Sequence, residues 1–367
     1  MASDSNGADW PVRAFAPGRV SLIGEHTDYN EGLALAFAIA EGVTVRGRAA
    51  PPGSEQAERM RACALDFGEC DEFPLRNPAR ASGWRAFVRG MVSELTQAGL
   101  GPPAASLEIG GDIPRGSGVS SSAALEVSLA LALLALSGVP SNGERPTSWQ
   151  QRIGRTELAE LCSRVENVWA GAQTGLLDQL SSLYGERDRA MLLDFRTLAV
   201  EQVPLQLNGW KLATLDSGER REHASSGYNE RRAECAQACV ELGVASLRDA
   251  DPARVALLPA PLRERARHVL GDNERVLAAA AALQAGDMPA LGELLNASHR
   301  SLRDDFQITT PATNAAVERM LREGAVGARQ LGGGFGGSVL GLLPPGVAVP
   351  GGASEVTPCA GARILEA

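Results

Sequence analysis

The strongest constraint on folding is the junction at residues 116–126, where the turn GSGVSSSAALE runs directly into SAALEVSLALALLALSG, a stretch that is apolar on nearly all sides. A helix with no polar face cannot lie on a surface, so residues 122–137 are expected to form a buried central helix, ended by Gly138 and Pro140. The glycines and hydroxyls then sit at its N-terminus, where free backbone N–H groups and the positive end of the helix dipole converge on one point. That is the chemistry of a phosphate cradle: glycine admits close approach, and Ser122 can cap the helix or offer an oxygen to a cation. A tight turn with an ordinary serine cap is the plainer alternative.

Surrounding such a helix takes a sizeable core, and 367 residues with 44% hydrophobic content supply one, as one large or two medium domains. Two further glycine-rich turns punctuate the chain, at residues 16–32 and 329–339. Between them strand-like runs (33–40, 211–216 and 338–343) alternate irregularly with helix-like runs (84–99, 156–171 and 228–243), which fits α+β better than repeated βαβ units. In the 156–171 run Leu158, Leu161, Val165 and Trp169 fall at helical spacing, and Glu166 borders that stripe.

Several classes are excluded. A net charge of -9 has the wrong sign for nucleic acid. The longest apolar stretch, residues 127–139, is short and broken by Ser128 and Ser137, so no membrane span is expected. The N-terminus shows no basic and hydrophobic leader, and six scattered cysteines read as thiols of a reducing compartment, so a cytoplasmic location is expected. No zinc ligand set is visible, which leaves Mg²⁺ on oxygen ligands as the expected metal. Lys211 is the only lysine, so neither a P-loop nor a protein-kinase strand lysine is available. Gly332, Gly334 and Gly337 satisfy G-x-G-x-x-G, but a strand-like run follows where a dinucleotide fold needs a helix, and a glycine hairpin packed on another backbone fits better. Residues 66–68 spell DFG without the rest of the kinase set.

The first turn, PGRVSLIGEHTDYNEG (17–32), concentrates Arg19, Glu25, His26 and Asp28 around an apolar centre. Carboxylates and an imidazole at one turn suit a polyol, whose hydroxyls need acceptors and mixed donor-acceptors; a solvated turn is the alternative.

Together the three segments resemble the signature motifs of the GHMP kinase superfamily, and the first is close to the galactokinase signature. The resemblance runs almost end to end, through 166–185, 225–235 and 296–306. It implies an N-terminal domain like ribosomal protein S5 domain 2 (1–205) and a ferredoxin-like C-terminal domain (206–367), with the active site between them. It also implies ATP-dependent phosphorylation of the O1 hydroxyl of galactose, the first step of galactose breakdown. A kinase for N-acetylgalactosamine or arabinose, or a non-catalytic galactose sensor on this fold, stays open. By the resemblance Asp178 is the catalytic aspartate and Arg19 the transition-state arginine. Ser122 and Glu166 are the Mg²⁺ ligands, and Gly116, Ser117, Gly118, Val119, Ser120, Ser121 and Ser122 form the ATP loop. Glu25, His26, Thr27, Asp28, Gly175 and Tyr228 contact the sugar. Galactose and ATP are the expected partners, and a monomer is expected, with a homodimer left open. Departures from the family pattern are Ser21, Glu31, Asn314, Ser338 and Leu331, the last expected to delete a hydroxyl near the nucleotide turn.

Overall fold

A computed structural model describes residues 10–113, 118–138, 148–219 and 224–365. The first part of the chain forms β1 (Val12–Ile23), β2 (Leu33–Ala49), β3 (Arg59–Ala64), β4 (Glu69–Pro74), α1 (Trp84–Gln97), β5 (Ala105–Gly111), α2 (Ser121–Ser137), α3 (Arg155–Arg164), α4 (Leu177–Tyr184), β6 (Arg189–Asp194) and β7 (Ala199–Pro204). The second forms β8 (Lys211–Asp216), α5 (Ala224–Leu242), α6 (Pro252–Val255), α7 (Leu262–Ala285), α8 (Met288–Ser301), α9 (Pro311–Arg322), β9 (Gly327–Gln330), β10 (Ser338–Leu343), β11 (Ala353–Val356) and β12 (Arg363–Ile364).

Among the described residues the larger sheet has the order β12-β1-β2-β5-β3-β4, with β6 added to β2 and β7 to β6. It is antiparallel except where β3 runs parallel to β5. β2 is long enough to serve two neighbours on one side: its start pairs with β6 and its end with β5, while β1 follows it on the other. β1 alternates buried and exposed residues only at its outer end and is fully buried from Ala16 to Ile23. The cause is cover on both faces: α2 and α4 pack on one part of the sheet, and α7 and α8 reach it from the second half of the chain. The smaller sheet, β11-β8-β10-β9, is antiparallel and carries α8 and α9. The change of sheet falls between Pro204 and Lys211, yet β12 returns to pair with β1, so the end of the chain joins the first sheet.

α2 is the expected buried helix: every side chain from Val127 to Leu134 is buried, and all but Ser128 pack in one hydrophobic cluster with residues of β1, β2 and α1. The 338–343 run is strand β10, and the glycines before it form the expected hairpin, Gly334 lying so close to Ile308 that a Cβ would approach the Ile308 carbonyl oxygen at 2.8 Å. Leu331 lies fully buried in an apolar cluster with Val20, Leu22 and Leu340 that also holds Val119 of the segment before α2, so its side chain fills the core between the two halves. One feature departs from the sequence reading. Cys63 and Cys70 are joined by a disulfide, where the scattered cysteines suggested reduced thiols; the β3–β4 register sets them directly opposite one another, which spacing alone did not disclose. Cys162, Cys235, Cys239 and Cys359 are free. Among the described residues no helix is long and apolar enough to cross a membrane.

Candidate active site

The site begins at an irregularity in β1. Its pairing with β2 shifts register between Pro17 and Arg19, and Gly18 passes so close to the segment preceding α2 that a Cβ would meet the Val119 carbonyl oxygen at 2.5 Å. Arg19 N–H donates to that same oxygen at 3.0 Å, which ties β1 to the segment preceding α2. The Arg19 side chain, 5% exposed, donates through Nη1 to the Gly118 carbonyl (2.8 Å) and through Nε to Asp178 Oδ1 (2.8 Å), with Nη2 2.6 Å from the same oxygen. Burial works against the Arg19 charge, but Asp178, Glu25 and Asp28 outweigh it and raise its pKa. Asp178 stands in the first turn of α4, and its Oδ2 accepts a hydrogen bond from the Ser120 hydroxyl. Ser120 precedes α2 in the left-handed region, at φ 67°, a conformation that costs a non-glycine residue energy and is found where a side chain must be aimed. Val119, Ser121 and Ser122 line the same cleft, while Gly116 and Ser117 lie outside the described residues.

Glu166 forms the next wall. It sits in a π-helical turn, Val165–Ala170, that widens the end of α3, a distortion common at functional sites. Thr174 Oγ1 (2.7 Å) and Gln179 Nε2 (3.0 Å) both donate to Glu166 Oε2. Burial and then Asp178 raise the Glu166 pKa, with hydrogen bonds from Thr174, Ser122 and Gln179 pulling the other way. Glu126, fully buried one turn along α2 from Ser122, shares the Gln179 amide (2.9 Å) and is pushed well above the ordinary carboxylate range by burial and by Glu166. Among the described residues no group of three His, Cys, Asp or Glu side chains is placed to hold a metal. The oxygen donors Ser122 and Glu166 nevertheless fit a small hard cation that takes one or two protein ligands and completes its shell with phosphate and water.

The opposite wall comes from the loop after β1. Gly24 (φ 98°) and His26 (φ 60°) turn the chain sharply, and Glu25, His26 and Asp28 line the cleft with Gly175, Tyr228 and Gly333. Gly175 packs so tightly on Asp28 that a Cβ would stand 2.1 Å from Oδ2. Burial, and the charges of Asp178 and Glu25, raise the Asp28 pKa to about 6 against the Tyr29 N–H and Arg232, which lower it. His26 is buried with Nδ1 2.7 Å from the Tyr29 hydroxyl and Nε2 3.3 Å from the Gly333 carbonyl, its ring near those of Tyr228 and Phe306. Thr27 does not reach the cleft. Its buried hydroxyl lies 2.9 Å from the Gly24 carbonyl and 2.7 Å from that of Leu33, holding the turn from beneath. The cleft measures about 340 Å³, a size typical of small-molecule sites.

Three sequence-family descriptions match the chain: the galactokinase galactose-binding signature over residues 4–49, the GHMP kinases N terminal domain over 86–186 and the GHMP kinases C terminal over 279–354. The galactokinase of Mycobacterium tuberculosis H37Rv is 42% identical over 335 residues, covering 90% of this chain and 88% of that protein. The galactokinase of Roseiflexus sp. RS-1 is 40% identical over 339 residues, 89% of this chain and 82% of the relative. The chain belongs to the galactokinase family. The crystal structure of Lactococcus lactis galactokinase complexed with galactose superimposes with a TM-score of 0.86 at 31% identity, covering 96% of this chain and 95% of that one. The mevalonate kinase of Methanococcus jannaschii, 17% identical with a TM-score of 0.65 over 97% of this chain and all (100%) of its own, shares the fold.

The galactokinase-family motifs converge as a set, but several residues that hold them were not singled out in the sequence. Gln179 and Thr174 position Glu166, and Arg232 donates to the Gln173 carbonyl (2.7 Å) beside the cleft; Ser120, expected in the ATP loop, also engages Asp178. Only Glu126 carried a signal: it is the one charged residue in an otherwise apolar helix, four residues after Ser122 and hence on the same face.

Proposed function

We propose that this chain transfers the γ-phosphoryl group of ATP to the anomeric O1 hydroxyl of galactose, giving galactose 1-phosphate and ADP. The observation that carries this reading is the Arg19–Asp178–Ser120 cluster at the head of α2, facing a wall of carboxylates and aromatic side chains suited to a polyol. Phosphoryl transfer asks chiefly for positioning and charge neutralisation, and each part has a residue here. The amides at the start of α2 receive the phosphates. Asp178 accepts the O1 proton at Oδ2 once the Ser120 hydroxyl turns toward the incoming sugar, while Arg19 holds Oδ1 and offsets negative charge spreading over the transferred group. Mg²⁺, held by Ser122 and Glu166, would neutralise the phosphate oxygens. Asp28 takes the 3- and 4-hydroxyls, with Gly175 behind it, Glu25 and His26 reach toward the 6-hydroxyl, and Tyr228 borders the ring. The need for ATP is the ground for proposing a cytoplasmic location.

Galactose and glucose differ only at carbon 4, and a buried acceptor left unpaired discriminates by roughly 10⁴-fold, so glucose is expected to be a very poor substrate. ADP release with Mg-ATP across galactose, glucose, N-acetylgalactosamine and arabinose tests the reading. Preference for galactose supports it; preference for another sugar, or no turnover with any, contradicts it.

A further inference from the structure

Glu25 belongs to the first half of the chain, yet among the described residues the backbone donor and the guanidinium at its Oε1 both come from the second. Its Oε1 accepts from Gly332 N–H at 2.7 Å, and Arg329 Nη2 stands 3.5 Å from that same oxygen. The Glu25 carbonyl lies 3.1 Å from His268 Nε2. Arg329, on β9, is fully buried, and its Nη1 reaches across to the β1 carbonyls of Leu22 (2.9 Å) and Ser21 (3.3 Å). Its Nε and Nη2 make no conventional hydrogen bond, and Asp272 nearby is also fully buried with Oδ2 unpaired, its Oδ1 taken by Arg275 at 2.8 Å. A guanidinium is costly to bury, so placing one against a carboxylate that lines the cleft is a poor way to gain stability. It is an effective way to fix where that carboxylate points.

We propose that Arg329 is a positioning residue for sugar specificity: it clamps Glu25 Oε1 against the glycine hairpin, so that Oε2 is presented at a fixed place to the 6-hydroxyl of the substrate. The proposal rests on the reading of Glu25 as the partner of that hydroxyl. Burial pulls the Arg329 pKa down while Glu25 and Asp272 hold it up, as a buried clamp between two carboxylates requires. The glycine hairpin of the third motif thereby acts on the sugar.

The test compares kcat/KM for galactose and 6-deoxygalactose in the wild type, Glu25→Gln and Arg329→Lys. Arg329→Lys keeps the charge but loses the fork that spans Glu25 and the β1 carbonyls. Galactose kcat/KM is expected to fall about tenfold through KM, with 6-deoxygalactose and the ATP KM nearly unchanged, so that the preference for galactose collapses. An equal fall for both sugars, or a change in ATP KM alone, would mean a merely structural residue and overturn the proposal. Glu25→Gln separates the underlying reading: unchanged preference there removes Glu25 from the 6-hydroxyl, whereas a collapse there without one in Arg329→Lys refutes the clamp alone. Should Arg329→Lys fail to fold, Arg329→Met/Asp272→Asn removes the buried cation together with a buried carboxylate, and the same collapse is required of it.

Discussion

Asp178 has both carboxylate oxygens engaged, one by Arg19 and one by Ser120, so it is fixed in place before substrate arrives. Asp178→Asn should therefore fold and bind galactose but lose about 10²-fold or more in kcat, because an amide cannot take the O1 proton. Single-turnover kinetics and galactose titration check this, and near-normal kcat would remove Asp178 from the reaction. Glu166→Ala and Ser122→Ala should each raise the Mg²⁺ concentration needed for half-maximal rate more than the galactose KM; metal titrations that move only the sugar KM would reassign both residues. Asp28 gives a prediction in pH. Its folded-state pKa of about 6 lies above the ordinary carboxylate value, so its contribution to stability is most favourable at low pH and is lost as pH rises through 6. Asp28→Asn, which cannot ionise, should raise the stability of the sugar-free protein by about 1–2 kcal/mol at pH 8 and by only about a fifth of that at pH 4, below most of the titration, allowing for partial exposure. Thermal melts at the two pH values decide, and an equal gain at both would contradict the assigned strain.

At the scale of elements, the site depends on close approaches that only glycine permits. Gly18→Ala would drive a Cβ into the Val119 carbonyl and push the ATP-loop segment off β1, so the ATP KM should rise together with a loss of stability. Gly175→Ala presses on the Asp28 carboxylate instead, and its effect should fall on the galactose KM. Steady-state kinetics with each substrate varied separate the two. Much of this was legible beforehand: an apolar stretch with no polar face has one place to go, and α2 is there. The local geometry that aims the side chains was not. The π turn that presents Glu166 and the left-handed Ser120 arise from tertiary packing, and no residue in VENVWA or GVSSS announces them. Thr27, flanked in sequence by the cleft residues His26 and Asp28, turns inward because a tight loop needs its own hydrogen bonds first.

At the scale of the whole molecule, the cleft is assembled from distant stretches: Arg19 and Asp178 are 159 residues apart and His26 and Gly333 are 307 apart. The Cys63–Cys70 bridge and the Arg329 clamp were illegible for the same reason, since both depend on strand register or docking of the two sheets rather than on local pattern. What binds the parts into one claim is that the cleft directs phosphate to a single oxygen of a single sugar. The most direct measurement is the NMR spectrum of the product formed from galactose and Mg-ATP. The account requires one sugar phosphate, in a 1:1 ratio to ADP, with phosphorus coupled to the anomeric proton. Phosphate on the 6-hydroxyl, or ADP formed without a sugar phosphate, would contradict it.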